Sequence, residues 1–125
     1  MTVYRVEGAG NQRIKVLDGG FVTLKNAKKP VFLNFGVKKR ADDFLEKRLS
    51  QGFSDSKIKS FDVDAQFVDW LRANAVPESM AKDFPGAPLK VDTTKAVDQY
   101  MLRPQHMSAF FDSMIQGTGR ESGPN

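Results

Sequence analysis

Before residue 37 the chain contains no stretch with helical periodicity, and this most constrains what it can fold into. "TVYRVEG" alternates with a period of two, placing Tyr4 and Val6 on one face and Val3, Arg5 and Glu7 on the other. "GAGN" reads as a turn, because Gly and Asn tolerate the backbone angles that turns need. "RIKVLDGGFVTLKN" reads as a hairpin: Ile14 and Val16 alternate with Arg13 and Lys15, "DGG" turns, and "FVTLK" returns. "PVFLNFG" is a short apolar run led by Pro and stopped by Gly, the pattern of a central strand buried on both sides. A chain that opens with so many short strands is committed to hairpin-rich β structure.

Helical periodicity begins at Lys38 and runs to Gln51, with Ala41, Phe44, Leu45 and Leu49 on one face and Gly52 as the stop. "KIKSFDV" is a further strand. Asp64 is placed to cap a second helix lined by Phe67, Val68, Leu71 and Ala75, which Pro77 ends. "ESMAKDFPGAP" reads as a loop with room for one helical turn, and "LKVDTT" as a late strand. Pro104 opens a third helix, with Met107, Phe110, Phe111 and Met114 facing the core and Gly117 closing it. About six mainly antiparallel strands with three helices inserted late predict an α+β fold, not a doubly wound parallel one. Residues 1–117 form a single domain in this reading, and the polar residues 118–125 a flexible tail.

At 125 residues the chain is long enough for one packed core, and with 40% apolar and 27% charged residues it is globular. Ten Phe point to a Phe-filled core. No Cys means no disulfide framework, no thiolate zinc site and no cysteine nucleophile. The single His, His106, rules out chemistry that needs two imidazoles and makes a His-rich metal site a poor expectation. No apolar run approaches a membrane span, and no signal-peptide pattern opens the chain. Net charge is +4 with pI near 9.4, concentrated at residues 25–29 and 38–40 with Lys57 and Lys59. These clusters read first as solubilising charges around turns and second as a surface for nucleic acid or an acidic protein. "GAGNQR" is not a dinucleotide fingerprint and opens no helix.

Several polar residues stand where packing alone would choose otherwise. Arg5 interrupts the first strand, as an edge charge or as the first member of a site. Asn34 interrupts "VFLNFG", and an unpaired buried amide costs about 1–3 kcal/mol, so it bonds a neighbouring loop or reaches into a cleft. Asp92, Thr93, Thr94, Asp98, Gln99 and Arg103 crowd before the last helix, a common place for sites. His106, in the first turn of that helix, reads as a surface histidine, and as an acid or base it would need a partner such as Asp98 or Lys95. Trp70 reads as core.

"YRVEGAGNQRI", "VFLNFGVKKRADDFLEKRL", "IKSFDV", "NAVPESMAKDFPGAP" and "DQYMLRPQHM…MIQGTGR" together resemble the C-terminal toxin domains of bacterial Rhs-type polymorphic toxins, over nearly the whole chain. Within that group the layout is similar to compact ADP-ribosyltransferases. The resemblance implies a split sheet around a cleft, with NAD as co-substrate and no metal. It implies an NAD site at Tyr4 and Arg5, with Asn34 shaping the nicotinamide pocket and Phe35 as a stacking ring. Asp98 and Gln99 of "VDQY" would stand where the family carries its acidic residue, with Arg5, Asp98 and Gln99 catalytic. Arg103, His106, Lys38 and Lys39 would meet a macromolecular acceptor, RNA or protein. The family's usual final Glu and its Ser-Thr-Ser pattern are absent, so Asp98 must serve or Gln99 must position substrate without a carboxylate.

The resemblance further implies interbacterial competition: secretion or injection by the producer (type VI secretion among the routes), action in the target cytoplasm, a cognate immunity protein, and a monomer. Two other readings stay open. One is a metal-independent ribonuclease toxin using His106 with Lys95, Arg103 and Thr93 or Thr94. The other is a non-enzymatic binding module, which the basic pI disfavours for an immunity protein.

Overall fold

The computed structural model describes residues 1–91 and 98–122. Within them the chain forms β1 (Thr2–Glu7), β2 (Ile14–Val16), β3 (Val22–Leu24), β4 (Val31–Phe35), α1 (Lys38–Ser50), β5 (Lys57–Asp62) and α2 (Ala65–Asn74). There follow β6 (Val76–Pro77), β7 (Leu89–Lys90), β8 (Gln99–Leu102), α3 (Met107–Ser113) and β9 (Arg120–Ser122). The fold is α+β, as the strand-rich opening predicts. Seven strands make one sheet in the order β6-β7-β8-β4-β1-β5-β9, antiparallel but for β6 with β7, and β2 and β3 form a separate hairpin.

Local signals place the helices. Gly52, at φ 92°, follows α1 in the left-handed conformation; its N–H bonds Leu49 O while Phe53 N–H reaches Arg48 O, closing the helix end as glycine alone does cheaply. Asp64 starts α2 by accepting the Gln66 N–H at 3.0 Å.

The sheet separates two apolar clusters. On one face Val3, Phe61, Phe35, Leu33, Tyr100 and Leu102 meet Phe67, Val68 and Leu71 of α2, Met107 and Phe110 of α3, and Ile14 and Val22 of the hairpin. Phe110 is fully buried, stacked on Phe67 at 5.7 Å and tilted against Phe61 at 5.8 Å. On the other face Val6, Ile58 and Ala41 pack with Tyr4 and Leu45, because α1 lies chiefly over β1 and β5. The β4 side of that face stays open.

Several expectations are corrected here. Among the described residues there are nine strands, not about six. The stretch "QYML", for which no strand is expected among the polar residues before the last helix, is β8; Tyr100 and Leu102 are buried while Gln99 and Met101 alternate with them. β4 buries Val31, Leu33 and Phe35 on one face and Asn34 on the other, as expected of a central strand, and is open only at Phe32, 47% exposed. Phe111 is 41% exposed, because the short α3 buries the ridge Met107, Phe110 and Met114, and Phe111 lies about 100° round from Phe110. Arg120–Ser122, within the expected tail, pairs with β5.

Candidate functional site

A cleft opens where the sheet parts. β1 and β4 pair only at Val3 with Phe35 and Tyr4 with Asn34; beyond that β1 follows β5 to Glu7 and β4 follows β8 to Val31. The guanidinium of Arg5 sits in the gap. Its Nη1 donates to Phe32 O at 2.9 Å, its Nη2 to Asn11 O at 3.2 Å, and its Nε to Glu7 Oε2 at 2.6 Å. The carbonyl that lost its strand partner thus finds a side-chain donor instead.

The cleft is about 420 Å³. Tyr4, Arg5, Asn34 and Gln99 line it together, four residues that sequence reasoning singled out. Phe32 and Phe44 add exposed rings, and Arg40 a second cation whose Nε donates to Gln99 Oε1 at 3.4 Å. No described lining residue is acidic. Asn34 Nδ2 donates to Val37 O at 2.6 Å, while its Oδ1 is buried with no hydrogen-bond partner. A ligand N–H or O–H is what such an acceptor lacks.

Behind Arg5 stands a network that sequence reasoning missed. Glu7, with no exposed side-chain surface, accepts from Arg5 Nε, from the Arg13 N–H at 2.8 Å and from the Ile14 N–H at 3.1 Å. Lys59 Nζ lies 2.8 Å from Glu7 Oε1 and also donates to Ile14 O. Burial holds the Arg5 guanidinium below its ordinary pKa, opposed by its bond to Glu7. The signal was present but mute: Arg5 and Glu7 share a face of β1, yet Lys59 joins them only through the β1–β5 register, which sets Arg5 opposite it.

The remaining site expectations fall elsewhere. Asp98 does not line the cleft: its carboxylate takes Arg72 Nε at 3.0 Å, Arg72 Nη2 at 2.6 Å and the Tyr100 hydroxyl at 2.8 Å. The hydrogen bond from Arg72 holds that carboxyl below the usual carboxylate range, against burial and with help from Tyr100. Phe35 is a core ring, edge-on to Tyr100 at 5.7 Å, and cannot stack on a ligand. Lys38 and Lys39 are exposed on α1, paired with Asp42 and Asp43 at 2.9 and 3.0 Å.

Arg103 and His106 clamp the loop before β7. Arg103 donates to Phe84 O and Ala81 O, while His106 Nδ1 accepts the Arg103 N–H at 3.0 Å. That bond puts the imidazole proton on Nε2, which donates to Gly86 O at 3.0 Å. His106 is buried, correcting the surface reading, and Trp70 meets it edge-on at 5.6 Å. Asp92, Thr93, Thr94 and Lys95 lie outside the described residues. Among the described residues no group of three His, Asp or Glu is placed to hold a metal ion, and no helix is long and apolar enough to cross a membrane. Comparison with known proteins finds no matching family model, no matching curated protein and no matching solved structure.

Proposed function

We propose that the chain is an NAD-dependent ADP-ribosyltransferase, acting as an interbacterial toxin domain on a macromolecular acceptor in the target cytoplasm. The observation that carries this is the cleft between β1 and β4, where two arginines, two amides and open aromatic rings converge with no carboxylate among the described lining residues. Its size lies within the range of about 300–1,000 Å³ usual for small-molecule sites. Such a lining suits a dianionic ligand with planar rings: Arg forks match phosphate, and Tyr4, Phe32 and Phe44 offer stacking faces.

In the reaction the bond from ribose C1′ to the nicotinamide nitrogen breaks, and the nitrogen keeps the electron pair. The acceptor nucleophile then bonds C1′ and releases its proton to solvent. Positive charge develops on the ribose, and oriented dipoles stabilise it. Asp98 is engaged by Arg72, so this role passes to the Gln99 side chain, with Arg5 and Arg40 holding the phosphates. A cognate immunity protein in the producer and a monomeric toxin complete the proposal.

The test incubates the purified chain with NAD labelled in its adenylate phosphate and a bacterial extract, and follows label on protein and RNA gels together with nicotinamide release. Label transfer that is lost in Arg5→Ala and Gln99→Ala is expected. RNA fragmentation without NAD consumption would replace this reading with the nuclease. Neither activity would leave a binding module.

A further inference from the structure

The Arg72–Asp98 pair takes no part in the reaction above, yet it controls how β8 enters the cleft. Asp98 has φ 57°, and Asn26 is the other non-glycine residue with positive φ among those described. A left-handed backbone at an L-residue costs about 1–2 kcal/mol and persists only where its surroundings hold it. Three contacts hold it here: the two-pronged grip of Arg72 at the last turn of α2, the Tyr100 hydroxyl, and the Phe35 N–H donating to Asp98 O at 2.9 Å. The next residue, Gln99, then pairs opposite Asn34 and takes its place in the cleft lining.

We infer that Arg72 is a positioning residue for the cleft. It fixes the Asp98 backbone, and the Asp98 backbone sets where Gln99 stands against Asn34. Arg72 belongs to α2, which packs on the opposite face of the sheet, and its side chain is 45% exposed. Its removal therefore empties no core. The inference rests on the reading of the cleft as the NAD site only for its catalytic consequence; the backbone geometry stands without it.

The experiment uses the full chain, wild type and the variants Arg72→Ala, Arg72→Lys and Asp98→Asn. It measures amide exchange at Phe35, affinity for ADP-ribose, kcat and KM for NAD, and the thermal midpoint. Loss of the two-pronged grip is expected to weaken Phe35 amide protection and to lower kcat, each by about tenfold, which corresponds to roughly 1.4 kcal/mol. KM and ADP-ribose affinity stay close to wild type, because Arg5 and Arg40 are untouched, and the thermal midpoint falls only by the several degrees that this same loss of contact implies. Arg72→Lys keeps the charge without the fork and recovers part of both losses. Asp98→Asn keeps a hydrogen-bonding side chain tolerant of positive φ and falls between wild type and Arg72→Ala.

Unchanged Phe35 protection in Arg72→Ala overturns the inference whatever the activity. Protection lost with kcat unchanged, in an active wild type, overturns it too. A wild type that neither binds ADP-ribose nor consumes NAD refutes the proposed function instead, and Phe35 exchange still decides the positioning.

Discussion

Replacing Glu7 by Gln should be the most damaging single-atom exchange in this protein. The Glu7 side chain has no exposed surface and stands between Arg5, 11% exposed, and Lys59, 6% exposed. Each of its oxygens is used: Oε2 takes Arg5 Nε and the Arg13 and Ile14 N–H groups, and Oε1 faces Lys59 Nζ. An amide keeps one acceptor and puts an NH₂ against donors, so at least one donor is left buried and unmatched. Arg5 and Lys59 then remain in the interior without the carboxylate between them, Lys59 keeping a longer approach to Glu121 Oε1 at 3.9 Å. Breaking a buried ion pair from one side costs about 3–5 kcal/mol, a large part of the roughly 5–15 kcal/mol that holds a domain folded. Urea denaturation followed by tryptophan fluorescence reads this as a midpoint lower by about 2 M, at a slope near 2 kcal/mol/M that does not change. The double variant Glu7→Leu, Lys59→Met removes both ends of one pair and should lose less than the two single changes together. A loss below about 1 kcal/mol for Glu7→Gln would refute the reasoning, since the network would then be wet enough to screen its charges.

Two further outcomes follow from the geometry. His106→Ala removes a buried ring and both of its hydrogen bonds, to the Arg103 N–H and to Gly86 O; it should cost about 2–4 kcal/mol, while NAD consumption per folded molecule is unchanged. Toxicity lost in a variant that is still folded would instead return His106 to a catalytic role. The Tyr100 hydroxyl is pushed up to about 12 by burial and by its bond to the Asp98 carboxylate. Its contribution is whole below the unfolded value near 10 and declines as pH rises towards 12, because the unfolded chain ionises first. Stability measured across that interval should fall less steeply in Tyr100→Phe than in wild type, and equal slopes would contradict the assignment.

Where one side chain's own period decides the outcome, the residues were legible. Tyr4 and Val6 alternate with Val3 and Glu7 across the two faces of β1, Gly52 ends α1, and Asp64 caps α2, although β1 is buried on both faces and not on one. β8 was illegible because its buried members, Tyr100 and Leu102, are separated by Met101 and preceded by polar residues that resemble a loop. Asn34 and Gln99 each stood out as a polar residue in a suspicious place, and they prove to be paired across β4 and β8 in one cleft lining. Phe35 and Asp98 stood out equally and lie outside that lining. One residue of shift along a strand changes the face, so near neighbours in sequence part company.

From composition and periodicity alone follow an α+β chain with three helices and a first strand interrupted by an arginine. Only the tertiary structure decided what that arginine touches. Arg5 lies in a gap that exists because β1 and β4 stop pairing after two residues, and its charge is matched by a glutamate that also faces a lysine from β5. Strand order and register bring those groups together from distant parts of the chain. A local pattern records which face a side chain takes, and not which strand it will face.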